Sequence, residues 1–307
     1  MPHPLDLIID CDPGIDDALA LFLAAGSAAE LNLLGVTCVA GNRPVPTTAA
    51  NARRLLDAAG CPEVPVYAGA ARPLSGGEPK CNLVHGEGGL GGVVLPQSRE
   101  PEAGHAVDHL VRLLLARPAG SVTLVAIGPL TNLALAERTH PGVLRRARQV
   151  LVMGGAVACA GNITPHAEFN FYADPDAAQA VLSAGAELVL FGLDVTSKAV
   201  MSDEWIASLA DLPGRSALAA HDMLRAYAAM DPLLHDACPI AFMLRPQLFR
   251  GEDWMLAVDC STGPSSGQVR GEPSTALPRE GASVQVIFDV DRDGLLTLVR
   301  ESLSRLP

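Results

Sequence analysis

Four carboxylates fall within eight residues of the chain, where an apolar run (Leu5, Leu7, Ile8, Ile9) stops and a helical pattern (Ala18, Leu19, Leu21, Phe22) begins. They are Asp10, Asp12, Asp16 and Asp17 in the segment Asp10-Cys-Asp-Pro-Gly-Ile-Asp-Asp-Ala18. So many negative charges at one strand end repel one another unless a cation joins them or some take up protons. An all-oxygen donor set suits a hard cation, Ca²⁺ or Mg²⁺. Turn and cap chemistry would use only one or two of the four. Asp10, like the nearby Asp6, therefore reads as structural, and Asp12, Asp16 and Asp17 as functional.

Three further segments carry polar groups of catalytic type. The stretch 161–174 offers Asn162, His166, Glu168 and Asn170 within nine residues. Amides and a carboxylate near a cation suit recognition of several hydroxyl groups, as on a sugar. His235 and Asp236 open an apolar helical run. Asp236 alone is explained by an N-cap, whereas an imidazole with an ordinary pKa near 6.5 is a candidate acid. His85 heads the glycine-rich run His85-Gly-Glu-Gly-Gly-Leu-Gly-Gly92, which reads as a flap. That run has no Walker Gly-Lys-Ser/Thr and no G-x-G-x-x-G after a strand, which argues against a nucleotide-phosphate site.

The elements that must position these groups alternate in type. Strands are expected at 5–10, 33–39, 64–67, 121–126, 148–152 and 187–191, and helices around 16–25, 47–59, 105–116, 129–137 and 174–184. This order predicts an α/β fold with an open, mostly parallel sheet flanked by helices and a Rossmann-like core. Later come helices at 203–211, 215–229 and 236–244, strands at 255–260 and 283–289, and a last helix at 292–304. The Gly/Pro-rich stretch 261–281 reads as a surface excursion. No linker divides the chain, so residues 1–307 are expected to form a single domain. Ligands of such sheets bind outside the carboxyl ends of the strands. There lie Asp12–Asp17, Gly41-Asn42, Ile127-Gly-Pro-Leu-Thr-Asn132, Met153-Gly-Gly155 and the region of Asp194.

Composition narrows the partners. Hydrophobic residues make up 49% and charged residues 18% of the 307, and the net charge is −12. A large core is expected, and a nucleic-acid partner is not, because phosphate neutralisation needs a basic face. A small, neutral or metal-bridged substrate fits better. The seven cysteines form no C-x-x-C pair, which fits a reducing cytoplasm. No signal peptide and no membrane span is expected, since no apolar run reaches the required length.

Taken together, Asp10–Ala18, Gly41-Asn42, His85-Gly86, Met153-Gly-Gly155, Asn162, Glu168-Phe169-Asn170 and Leu234-His-Asp236 resemble, in order and spacing, the inosine–uridine-preferring nucleoside hydrolases. The likeness runs from about residue 5 to 250. It implies a Ca²⁺-dependent enzyme that splits a ribonucleoside into ribose and free base. It also implies calcium ligands at Asp12, Asp17 and Asp236 and at the main-chain carbonyl of Ile127, where the family often has Thr. Asp16 and Asn170 match residues that hold the ribose 2′- and 3′-hydroxyls. Asn162 and Glu168 match residues around the 3′/5′ side, with Phe169 between the matched Glu168 and Asn170 and Met153 packed nearby. Asn42 matches a residue beside the attacking water, Asp12 the general base and His235 the acid. His85 and Tyr227 are candidate base-side contacts. Having both His85 and His235 resembles members able to use pyrimidines, which favours uridine and cytidine, with inosine as the alternative. The resemblance further implies a homo-oligomer, dimer or tetramer. A phosphatase using Asp10-x-Asp12 fits poorly, because Pro13-Gly14 follow and Lys80 and Lys198 are the only lysines. A silent calcium- or sugar-binding module is the remaining alternative.

Overall fold

A computed structural model of the chain describes residues 3–82, 84–274 and 283–307. Its centre is a sheet whose strands, among the described residues, are ordered β3-β2-β1-β4-β5-β6-β9-β7-β8. The parallel part comprises β1 (Leu5–Cys11), β2 (Leu31–Cys38), β3 (Val66–Ala68), β4 (Val122–Ala126), β5 (Gln149–Met153), β6 (Leu188–Phe191) and β9 (Val284–Val290). β7 (Phe249–Val258) runs antiparallel to both β9 and β8 (Val269–Pro273).

The helices are α1 (Ile15–Gly26), α2 (Val45–Ala58), α3 (Ala106–Ala116), α4 (Thr131–Thr139), α5 (Phe169–Ala173), α6 (Pro175–Leu182), α7 (Leu193–Thr196), α8 (Asp203–Ser208), α9 (Arg215–Tyr227), α10 (Ala237–Leu244) and α11 (Arg292–Leu303). They cover both faces of the sheet. Because side chains alternate along a strand, Leu7, Ile9 and Cys11 of β1 join one core with Leu19, Leu55, Met223, Ile240 and Val299. Ile8 points the other way, into a second core with Leu110, Leu133 and Val181. Every residue of α1 is buried. It lies between the sheet and the later helices, which explains why its sequence is apolar almost all round.

Topology locates the site. From β1 the chain winds outward through β2 to β3, then returns to place β4 on the other side of β1. The β1/β4 boundary is thus a switch point, where the loops part and leave a crevice at the strand carboxyl ends. Asp12 follows β1 and Ile127 follows β4. Between β3 and α3, the described residues of 69–105 form no helix or strand beyond one bridge, Tyr67 with Glu102. Structureless connections of such length are uncommon unless functional.

The expected surface excursion at 261–281 needs correction. β8 forms inside it, pairing Val269 with Val258 and Pro273 with Trp254. Gly271 and Pro273 hide the strand from a propensity reading, but β8 is an edge strand, where both are tolerated. Residues 275–282 of that stretch lie outside the described residues. β7 also begins earlier than expected, at Phe249. Among the described residues no helix is long and apolar enough to cross a membrane.

Candidate active site

The β1–α1 turn packs its carboxylates by local necessity. Asp17, in the first turn of α1, reaches back so that its Oδ2 accepts the Gly14 N–H at 2.8 Å and its Oδ1 the Asp12 N–H at 3.2 Å. This satisfies donors that a helix start leaves unpaired. Asp12 projects between two glycines: a Cβ on Gly41 would come 2.1 Å from its Oδ2, and one on Gly128 2.6 Å from its Oδ1. The Asn42 N–H donates to Asp12 Oδ2 at 2.5 Å, while the Asn42 amide nitrogen donates to Asp12 O and Asp17 Oδ2, each at 3.3 Å. Asn42 therefore clips the two aspartates together from the end of β2.

Asp236 occupies the N-cap position of α10, yet its side chain makes no capping hydrogen bond. Its carboxylate is left for the site. Ligand oxygens of Asp16, Asp17 and Asp236, all buried, lie within 4.8 Å of one another. Among the described residues no lysine or arginine pairs with any of them. Burial first, and then the charge of Asp16, pushes Asp17 up to about 7. Burial and the charges of its neighbours likewise raise Asp12 and Asp236 well above the usual carboxylate range. Buried oxygens that repel one another and lack a cationic side chain are the donor set a divalent hard cation would relieve. Asp12 stands just outside the Asp16–Asp17–Asp236 trio, beside Asp17.

Asp10 plays a different part. Both its carboxylate oxygens accept from the Asn132 amide, at 2.9 and 3.1 Å, and burial pushes it up to about 7. Asn132 also donates to Cys38 O and accepts from Ala70 N–H, so Asp10 anchors the ends of β1, β2 and the segment after β3.

A small, half-open cavity lies beside these carboxylates. Of the sequence-predicted residues, Asp16, Asn42, His85, Ile127, Met153, Asn162, Glu168, Phe169, Asn170, Tyr227, His235 and Asp236 line it. Asp12 and Asp17 are not among the lining residues; Asn42, which is, bonds both. Asn170 donates its amide to Ile127 O at 3.0 Å and Met153 O at 3.2 Å, so the group it offers a ligand is its carbonyl oxygen. Glu168 caps α5: its carboxylate accepts from Gly155, Asn170 and Phe171 N–H groups, and burial raises it nonetheless. Asn162 Oδ1 accepts from Phe169 N–H at 3.0 Å, holding the loop before α5. His166 is not among the lining residues.

Aromatic rings also line the cavity. His85 is buried, its Nδ1 accepting the Ile15 N–H at 3.2 Å, so in the neutral ring the proton sits on Nε2, 3.7 Å from Asp16 Oδ1. Burial lowers its pKa against the opposing pull of Asp16. Tyr227 stacks on it. The glycine-rich segment around His85 is tied down by Arg43, which donates to Glu87 O, and by Asn51, which donates to Gly88 O at 2.9 Å. His235 has both ring nitrogens engaged, Nδ1 with Thr196 Oγ1 at 2.8 Å and Nε2 with Asp231 Oδ2 at 3.2 Å. Burial alone would lower its pKa, but the Asp231 hydrogen bond and the charges of Asp231, Asp16 and Glu168 raise it.

Sequence reasoning missed three lining residues: Asn82, Val84 and Asp231. Asn82 and Val84 sit in an aperiodic loop. Asp231 carried one signal, its place four residues before His235.

The chain is similar to known proteins over nearly its whole length. Residues 7–297 match the family described as inosine-uridine preferring nucleoside hydrolase. The chain is 39% identical to the pyrimidine-specific ribonucleoside hydrolase RihA of Shewanella woodyi, over 97% of each chain. Among solved structures, a plant nucleoside hydrolase superposes with a TM-score of 0.91 at 31% identity, covering 98% of this chain and 99% of that one. A purine-preferring ribonucleoside hydrolase from Gardnerella vaginalis gives 0.89 at 30% identity, covering 97% and 98%.

Proposed function

The chain belongs to the inosine-uridine preferring nucleoside hydrolase family, and from that premise we propose that it cleaves the N-glycosidic bond of ribonucleosides with Ca²⁺ at its acidic cluster, favouring uridine and cytidine. The observation that carries this reading is the lining of one cavity: carboxylates and amides stand there beside two imidazoles and a phenol ring.

By the family resemblance Asp12, Asp17, Asp236 and the Ile127 carbonyl would hold the cation, with Asp16, whose oxygens lie close to those of Asp17 and Asp236, turned to the sugar. When bound, calcium would hold the vicinal diol and the attacking water together, so that encounter becomes positioning. Asp16 and the Asn170 carbonyl oxygen accept from the 2′- and 3′-hydroxyls, and Asn162 and Glu168 bound the 3′/5′ side. Glycosidic cleavage develops positive charge on the ribose, which the surrounding carboxylates stabilise electrostatically. Asp12 takes a proton from the water, and Asn42 keeps that carboxylate oriented. Negative charge develops on the leaving base, where His235 supplies a proton and His85 with Tyr227 faces the ring.

The pyrimidine preference is supported by the 39% identity to a pyrimidine-specific relative, against 30% to a purine-preferring structure. A broad inosine–uridine enzyme is the second reading, favoured by the 0.89 TM-score to that purine-preferring fold. All seven cysteines are free, in keeping with a cytoplasmic setting, and a homo-oligomer belongs to the same proposal. Incubation with a nucleoside panel plus calcium, read by reducing sugar, tests the activity. Comparing kcat/KM for uridine, cytidine and inosine tests the base preference. No ribose from any nucleoside defeats the first; a strong inosine preference defeats the second.

A further inference from the structure

We propose that Asp194 is a positioning residue that sets the loop carrying Asn162 against the sugar. The inference rests on the reading of Asn162 as a contact on the 3′/5′ side of the ribose. Asp194 is buried in α7, the short helix after β6, and is not among the residues lining the cavity. Its carboxylate reaches away from its own helix. Oδ2 accepts the Val157 N–H at 2.8 Å and Oδ1 accepts the Ala158 N–H at 2.7 Å.

The loop between β5 and α5 needs that grip on one side only. Its later half is closed on itself: Thr164 Oγ1 accepts from the His166 and Ala167 N–H groups at 3.2 and 3.0 Å, and Asn162 Oδ1 from that of Phe169. A Cβ on Gly161 would come 2.1 Å from Ala167 O, so the two strands of this small loop touch. The earlier half has no such support. Among the described residues, the two bonds to Asp194 are the only hydrogen bonds made by residues 156–160. Ala158, Cys159 and Ala160 are exposed. One ionised carboxylate accepting from two successive N–H groups therefore fixes the stem from which Asn162 hangs.

The backbone brings α7 to that stem. Gly154 N–H donates to Phe191 O at 3.2 Å and Leu193 N–H to Gly155 O at 2.9 Å. A Cβ on Gly192 would lie 2.9 Å from Gly155 O and 3.0 Å from Asp194 Oδ2, so the approach requires a residue without a side chain. Two residues beyond Asp194, Thr196 Oγ1 meets His235 Nδ1, and the antiparallel bridge of Val200 with Leu233 continues the segment. α7 thus braces two of the segments that line the cavity, and Asp194 serves the one that carries Asn162.

The test compares uridine with 5′-deoxyuridine, which lacks only the hydroxyl taken as the reporter for Asn162. In Asp194→Asn one oxygen still accepts a backbone N–H, but the NH₂ that replaces the other is a donor and cannot. The ratio of kcat/KM for uridine to that for 5′-deoxyuridine is expected to fall by about 2- to 12-fold, the weight of one hydrogen bond. This ratio does not depend on how much of the variant is folded. In an Asn162→Ala background the same exchange should leave the ratio unchanged. Equal losses on both substrates would mark a merely structural role and overturn the proposal, as would an unaltered ratio or a further fall in the Asn162→Ala background. Site-resolved hydrogen exchange on the unsubstituted protein needs no variant. The Val157 and Ala158 amides should exchange roughly tenfold or more slower than those of Cys159 and Ala160, and equal rates would overturn the grip. Wild-type protein that cleaves both nucleosides equally well would remove Asn162 from the 5′ side, and the proposal with it. Wild-type protein inactive on every nucleoside would defeat the hydrolase reading instead.

Discussion

The imidazole of His85 stacks on the ring of Tyr227, with centroids 5.1 Å apart and planes inclined by 17°. The Ile15 N–H fixes the other side of that imidazole at the start of α1, so this aromatic pair is built directly on the acidic turn. Removing the phenol ring frees His85 to rotate. An aromatic pair contributes about 0.5–1.5 kcal/mol, so Tyr227→Ala is expected to lower kcat/KM for uridine by about 2- to 12-fold, mainly through KM. Calorimetry should find calcium affinity unchanged. An unaltered KM would remove Tyr227 from the base side.

Asp12 lends itself to a near-isosteric swap. In Asp12→Asn an amide oxygen can still accept the Asn42 N–H, but the proposed general base is gone. Steady-state assays with saturating calcium should find kcat lower by roughly 10²–10⁴-fold. The exchange also removes one of the charges that burial and Asp17 oppose. The cation-free variant should therefore melt no lower than wild type. Near-normal turnover would take the base role away from Asp12.

The positions of these groups were largely readable in the sequence because the parallel sheet does the gathering. Once β1, β2, β4 and β5 are seen as strands, Asp12, Asn42, Ile127 and Met153 must share one rim. Other features depend on tertiary partners that leave no periodic trace. Asp236 looks like a plain cap, and only the structure reveals that its carboxylate makes no capping bond. Glu168 looks like a ligand group, yet its oxygens also cap α5. Asp231 belongs to no regular element, and what gives it meaning is an imidazole held by Thr196 from the far side of a bridge. β8 is masked by Gly271 and Pro273, which an edge strand accepts and a central one would not.

Stability should depend on pH in a direction set by the buried carboxylates. Burial pushes Asp10 up to about 7, and burial with the charge of Asp16 does the same for Asp17. An unfolded aspartate titrates near 4 (about 3.9). Between those values the folded chain binds more protons than the unfolded one, so stability falls as pH rises from about 4 to about 7 and is then level for these groups. A bound Ca²⁺ would favour the ionised form and compete with protons, so the stabilisation it gives should grow over the same window. Thermal melts of cation-free protein should drop by several degrees from about pH 5 to about pH 8, and added calcium should raise the melting temperature more at the higher pH. A cation-free melting temperature that climbs across this window would contradict the assignment.

Gly41 offers the sharpest steric test of the acidic cluster. Its φ lies outside the left-handed region, so alanine is conformationally acceptable there and the only obstacle is space. That obstacle is the Asp12 carboxylate, whose Oδ2 would lie 2.1 Å from the new Cβ, with Pro129 Cδ at 2.8 Å on the other side. Pro129 is held in its ring, so Asp12 must yield, breaking its bond from the Asn42 N–H. A misplacement of about 1 Å in a reacting group can cost on the order of 10²-fold in rate. Gly41→Ala is therefore expected to lower kcat on both uridine and p-nitrophenyl β-riboside, whose leaving group needs no proton, by about that factor, because the water chemistry is common to both. Gly76→Ala is the control, since a Cβ there meets nothing within 4 Å, although its φ of +81° adds local strain. Should Gly41→Ala retain wild-type kcat on both substrates, the Asp12 carboxylate can move without consequence, and it is not the base.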